Sequence, residues 1–397
     1  LGPKVSHKEH PKYCDRLLFD PRNKAFDGEH VLVVDERIPA VRLGAGYPRA
    51  VEMLEVMHKN GYKITFMPSL VKDRIQPEID HLLSMGIEII DSLEDINQFA
   101  DISVVMISRP KVFENEYPSI IKKFPNAWLV YDAEALFYIR EQLRTQVLNI
   151  NNASEAIEEQ KEHEMALITL ADQVIAVSDR ERDLMLAEST QRNIGVYGYY
   201  PPKKEGGLPF EEREGVLMVG SFVAGLGSPN EDAALWFTRE VWPEVQRQLG
   251  CKLYIVGSEP TEAVKALSSD NVIVTGYVED IGYYYNHCRV NIVPTRIAAG
   301  IPLKLVETFS YGLPSVVSEV VASQLHLLNG FHALIANATV EFIEQTLLLS
   351  KTKWLWNQLH HNSMEYTGAN FSEKTKTNQL GDIDNTDKVD SNLGSKL

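Results

Sequence analysis

Apolar residues recur along the chain in two rhythms. The run Val31–Val34 ends at Asp35, and after a loop bearing Gly44 and Gly46 the residues Val51, Leu54 and Met57 return at helical spacing. A strand, a loop and a helix follow one another. Gly61 closes that helix, and Lys63–Met67 reads as a second strand. The alternation continues through a helix at Pro77–Met85, strands at Ile87–Ile90 and Ile102–Ile107, a helix at Tyr117–Lys123 and a strand at Trp128–Tyr131. An acidic helical stretch, Ala153–Ala171, leads to Gln173–Val177, read as the last strand of this half. Short buried strands alternating with helices predict a parallel, doubly wound sheet.

Residues 198–209, GYYPPKKEGGLP, can continue neither a helix nor a strand. Beyond them the alternation restarts: strand Val216–Val219, helix Asn230–Leu249, strand Lys252–Val256, helix Thr261–Leu267, strands Val272–Thr275 and Val290–Val293, helix Leu303–Tyr311 and strand Ser315–Val317. The predicted class is therefore α/β, with two tandem Rossmann-like doubly wound domains and a cleft between them. The division is a polar extension at 1–29, a first domain at 30–200, a linker at 201–209, a second domain at 210–340, helices packing back across the domains at 341–372, and a polar tail at 373–397 expected to be disordered. Open sheets of this kind bind ligands beyond the carboxyl ends of their strands, so the cleft is the expected site.

Composition narrows the function. The 397 residues hold 39 Lys plus Arg against 55 Asp plus Glu, a net charge of −16, which argues against a nucleic-acid partner. Cys14, Cys251 and Cys288 lie far apart with no zinc-ligand spacing, so neither a disulfide framework nor a structural metal is expected, and a reducing, cytoplasmic setting fits. No apolar run approaches the roughly 20 residues that span a bilayer. A patch of Arg109, Lys111, Lys122 and Lys123 allows at most peripheral membrane contact. The start at Leu1-Gly2-Pro3, without methionine, suggests one module of a longer chain.

The most informative stretch is Val293–Pro314, VPTRIAAGIPLKLVETFSYGLP. A strand ends in a small-residue loop, and Pro302 stands where a helix begins. Free amides around Gly300, Ile301, Pro302 and Leu303, the positive end of the helix, and the side chains of Arg296 and Lys304 suit a diphosphate. Glu307, one turn after Lys304, either accepts bonds from vicinal hydroxyls or forms a local pair with Lys304. The loop Gly220–Gly227, with Ser221, either passes close to a ligand or only turns the chain; Ser228-Pro229-Asn230-Glu231 then starts a helix. Gly44-Ala45-Gly46, flanked by Arg42 and Arg49, lacks the third glycine of a dinucleotide fingerprint, which excludes a nicotinamide cofactor but suits an anion. Asp132 and Glu134, just past a strand, are candidate bases or hydroxyl acceptors, or else simply charges at a helix start.

These motifs resemble a known family. SPNEDAALWF (228–237), LYIVGSEP (253–260), VIVTGYVED (272–280) and above all VPTRIAAGIPLKLVETFSYGLPSVVS (293–318) are similar to retaining nucleotide-sugar glycosyltransferases of family 4, group 1, which have the GT-B fold. VLVVDERIPAVRLGAGYPRA (31–50) and ADQVIAVSDRERDLM (171–185) resemble their acceptor half. The resemblance implies a retaining hexosyl- or deoxyhexosyltransferase that moves a sugar from a nucleoside diphosphate sugar to a hydroxyl of a glycan, polysaccharide or glycolipid. It implies no metal and no cofactor, and a leaving diphosphate that helps deprotonate the acceptor. By position, Glu307 would hold the ribose, Arg296 and Lys304 the diphosphate, Tyr277 and Val278 the base, and Gly44–Gly46 and Ser221 would approach the donor. Two positions depart from the pattern: Ala299 stands for a glutamate, and Phe137-Tyr138 for a histidine. They leave open a degenerate nucleotide- or carbohydrate-binding module, and the shared architecture leaves open a nucleotide-sugar epimerase.

Overall fold

The computed structural model describes residues 29–371 except 45, 75, 97–100, 149, 151–152, 202–203 and 205–206. The polar extension, the tail, Ala45 and part of the linker therefore lie outside the described residues. Two parallel sheets form the molecule. The first contains β1 (His30–Arg37), β2 (Lys63–Val71), β3 (Glu88–Ile89), β4 (Ile102–Ser108), β5 (Trp128–Asp132), β6 (Gln173–Ala176) and β7 (Ile194–Val196), in the order β3-β2-β1-β4-β5-β6-β7. The second contains β8 (Val216–Val219), β9 (Leu253–Val256), β10 (Val272–Gly276), β11 (Val290–Val293), β12 (Ser315–Val317) and β13 (Leu334–Ile335), in the order β10-β9-β8-β11-β12-β13. Helices cover both faces of each, so strands such as Val31–Val34 and Val104–Ile107 are apolar on both sides. Each strand order reverses once, between β1 and β4 and between β8 and β11. Those switch points open crevices at the carboxyl ends of the strands.

The structure differs from the sequence reading at several elements. Gln173–Val177 is not the last strand of the first sheet, because Ile194–Val196 adds β7 beside it. Three residues interrupted by Gly195 are too few to show a hydrophobic rhythm, as are the two of β13. The helix read as Asn230–Leu249 starts at Pro229 and passes through a π-helical turn, Phe237–Val241. Pro243 follows at once; it lacks an N–H and its ring crowds the carbonyl four residues back, so the wider turn accommodates it. The final helices, Thr339–Lys351 and Lys353–Asn370, cover the second domain rather than bridging to the first. Trp356 donates to Arg289 O at 2.6 Å and His360 stacks on it, while Tyr366 meets Phe309.

The basic patch also resolves differently. Arg109 turns inward, with its side chain 13% exposed and paired with Asp35 and Glu134. Lys123 donates to Leu93 O, and Lys111 pairs with Glu114. Among the described residues no helix is long and apolar enough to cross a membrane.

Candidate functional site

A cavity of about 1290 Å³ lies between the two sheets, at the carboxyl ends of β1, β4, β8 and β11. Gly44, Gly46, Ser221, Tyr277, Val278, Gly300, Ile301, Pro302, Leu303, Lys304 and Glu307 all stand on its wall. The two domains approach closely around it. A Cβ on Gly44 would lie 3.0 Å from Ser221 Cβ, and one on Gly300 would lie 3.4 Å from Ala135 Cβ. Larger side chains at Gly44 or Gly300 would push the domains apart, which is why small residues border the cleft.

The second domain presents a helix start. Pro302 precedes helix Leu303–Ser310, whose N–H groups at Leu305 and Val306 turn back to Pro302 O. The positive end of this helix faces the cavity. Gly300 N–H, at φ 76°, is bound by Glu181 Oε1 of the first domain at 2.9 Å, so this amide is not open to a ligand. Burial pushes the Glu181 carboxyl up to about 7.

Lys304 projects from the first turn. Its Nζ donates to Asn230 Oδ1 at 2.6 Å and to Thr295 Oγ1 at 3.2 Å, both neutral acceptors. Burial lowers its pKa to about 8, and no carboxylate offsets that among the described residues. A cation held in such a place without a counter-ion is costly unless an anion comes to it. The alternative of a Lys304–Glu307 pair does not form: Glu307 instead accepts from Tyr285 Oη at 3.3 Å, and burial raises its pKa.

Two expected site residues are elsewhere. Arg296 is absent from the cavity wall; its guanidinium binds Asp232 in a two-pronged pair at 3.0 and 2.5 Å and lies over the Trp236 ring. A planar fork that finds a carboxylate on the neighbouring helix is satisfied there. Asp132 is only 2% exposed, with both oxygens taken by Arg49 at 2.9 Å and a third bond from Ser108 Oγ at 3.3 Å. It is a structural charge pair, not an open carboxylate. The arginines flanking the glycine loop are likewise engaged, Arg42 by Glu78 at 2.7 Å and Arg49 by Asp132.

The carboxylate that does reach the cavity from this region is Glu134, held by Arg109, a residue the sequence reading left on the surface. Only the strand-end position of Ser108-Arg109-Pro110 could have signalled it. Phe137, at the departure from the expected histidine, lines the cavity with the Arg140 guanidinium 4.5 Å over its ring. Its N–H and that of Tyr138 are capped by Glu164, each at 2.9 Å.

Residues 215–351 match the family model "Glycosyl transferases group 1". Among curated proteins none matches the sequence. Solved structures match it in fold. A sucrose-phosphate synthase from Thermosynechococcus elongatus superposes with a TM-score of 0.66 at 15% identity, over 91% of this chain and 99% of that one. Anabaena HepE in complex with UDP-glucose gives 0.59 at 12% identity, over 91% and 99%. A glycosyltransferase from Rickettsia africae gives 0.59 at 10% identity, over 93% and 100%. The second domain thus carries a group 1 glycosyl transferase match, and the whole chain has the two-domain GT-B fold of glycosyltransferases.

Proposed function

We propose that this protein is a glycosyltransferase that moves a glycosyl unit from a nucleoside diphosphate sugar to an acceptor hydroxyl, with retention at the anomeric carbon. The observation that carries the proposal is Lys304: a half-buried cation on the cavity wall, at the start of a helix, whose Nζ is bonded among the described residues only to Asn230 and Thr295. That place suits the diphosphate, whose charge grows as the sugar leaves. The group 1 match over this domain and the glycosyltransferase neighbours support the same chemistry.

In this reading the Lys304 side chain and the backbone N–H groups of Ile301 and Lys304 hold the diphosphate. Glu307 takes the ribose hydroxyls, and Tyr277 and Val278 border the base. Ser221 and the Gly44–Gly46 loop close over the donor from either side. Arg296 and Asp132 have no part in it, since the Arg296 guanidinium is turned to Asp232 off the cavity wall and both Asp132 oxygens are held by Arg49. The complex of HepE with UDP-glucose makes a uridine donor the first to try. The acceptor is a glycan, polysaccharide or glycolipid, approaching from the first domain, and the reaction proceeds without a metal or cofactor.

Charge stabilisation of the leaving group and positioning supply the catalysis. Replacing Lys304 by alanine lowers turnover at saturating donor about 10²–10³-fold, measured as release of nucleoside diphosphate. Unchanged turnover in a folded variant would remove Lys304 from this role.

A further inference from the structure

Two neighbouring strands of the first sheet end in strained residues. Arg109, just past β4, has φ 72°, and Glu134, two residues past β5, has φ 58°. Side-chain-bearing residues rarely adopt such angles, and these conformations concentrate at functional sites. Here the two are joined, with Arg109 Nη1 2.5 Å from Glu134 Oε2. Arg109 is itself fixed by Asp35 Oδ1 on its Nε at 2.8 Å and by the Tyr47 ring 4.7 Å from the guanidinium. The arrangement immobilises one oxygen of Glu134 and leaves the other, Oε1, without a donor among the described residues.

Oε1 points to the glycine loop. A Cβ on Gly46 would fall 1.7 Å from it, so only glycine leaves the carboxylate its place. On the other side, the Glu134 carbonyl lies 3.7 Å from where a Cβ on Gly300 would stand. Glu134 therefore sits on the cavity wall between the first-domain glycine loop and the loop that leads to Lys304. This is the junction between the proposed diphosphate and the side from which an acceptor enters.

We propose that Glu134 is a catalytic residue of the transfer, its Oε1 accepting the hydrogen bond and then the proton of the acceptor hydroxyl while Arg109 holds Oε2. The proposal rests on the donor reading above. In the step, the acceptor oxygen bonds to the anomeric carbon on the face from which the diphosphate departs, so configuration is retained; the bond from that carbon to the diphosphate breaks with its electron pair staying on the diphosphate, and the acceptor proton ends on Glu134 rather than on the diphosphate. The proton later passes to water. Burial pushes Glu134 up to about 7, Asp35 and Asp132 act in the same sense, and Arg109 and Arg49 oppose them. Gly300, the second-domain residue packed beside it, carries no charge, while Arg140 also faces Glu134 and Glu181 holds the Gly300 N–H. A base poised near the working pH is the efficient one.

The test compares the native chain with E134Q and E134D, using UDP-, GDP- and ADP-glucose with water as acceptor and following release of the diphosphate. E134Q keeps an oxygen for Arg109, which retains Asp35, so its melting point stays close to native. The expected result is unchanged affinity for the free diphosphate, release at least about 100-fold slower, loss of the rise in rate as pH passes through about 7, and partial recovery in E134D. E134Q with the native rate and pH profile overturns the role of Glu134 and leaves the donor reading standing. A native chain that binds diphosphate but never releases it from the sugar nucleotides also overturns this proposal alone. A native chain that binds none overturns the donor reading and this proposal with it.

Discussion

At the scale of single residues, charge is decided by what lies opposite each group. Asp132 and Arg296 looked like open site groups because each follows a strand. Both are satisfied by partners far away in sequence, Arg49 and Asp232, which no local pattern announces. Among the described residues the Lys304 ammonium has only neutral partners, and burial brings it down to about 8. It is charged below that pH and neutral above it. Affinity for a nucleoside diphosphate is therefore expected to hold from pH 6 to about 7.5 and to fall by up to about tenfold per unit above 8. A titration calorimetry series across that range checks it; the same affinity at pH 7 and pH 9.5 would show that the lysine charge is not engaged.

At the scale of elements, glycines mark where backbones meet. A Cβ on Gly257 would stand 1.8 Å from Gly220 O, at the ends of the adjacent strands β9 and β8. Gly257→Ala must separate those strand ends and is expected to destabilise the protein by about 1–3 kcal/mol. Gly368, exposed within helix Lys353–Asn370 with nothing near its missing Cβ, has the opposite expectation: Gly368→Ala stabilises by up to about 1 kcal/mol. Chemical denaturation of the two variants reads both signs. The strand and helix alternation was legible because both faces of each sheet are covered, which makes central strands such as Val31–Val34 and Val216–Val219 unbroken apolar runs. The helix start at Ser228-Pro229 was legible too, and its serine does accept from Glu231 N–H at 3.3 Å. The edges were not: β7 and β13 are three and two residues long. Nor was the Arg109–Glu134 pair, because left-handed backbones at an arginine and a glutamate follow from contacts across neighbouring strands and leave no mark in composition.

At the scale of the whole molecule, two switch points face one another across the cavity, and each domain supplies part of the site. The second domain contributes a helix start and a cation; the first contributes a glycine loop and a carboxylate braced by arginine. Glu181 ties the halves together by holding Gly300 N–H across the cleft. The proposed division, donor on the second domain and acceptor on the first, follows from that asymmetry. Its central claim is that a nucleoside diphosphate binds on Lys304. The most direct measurement is calorimetry of UDP, GDP and ADP against the native chain and Lys304→Ala. The expected result is one diphosphate bound selectively by the native chain and at least about tenfold more weakly by the variant, a difference of about 1.4 kcal/mol. Binding of none of the three, or equal binding by both proteins, would contradict it.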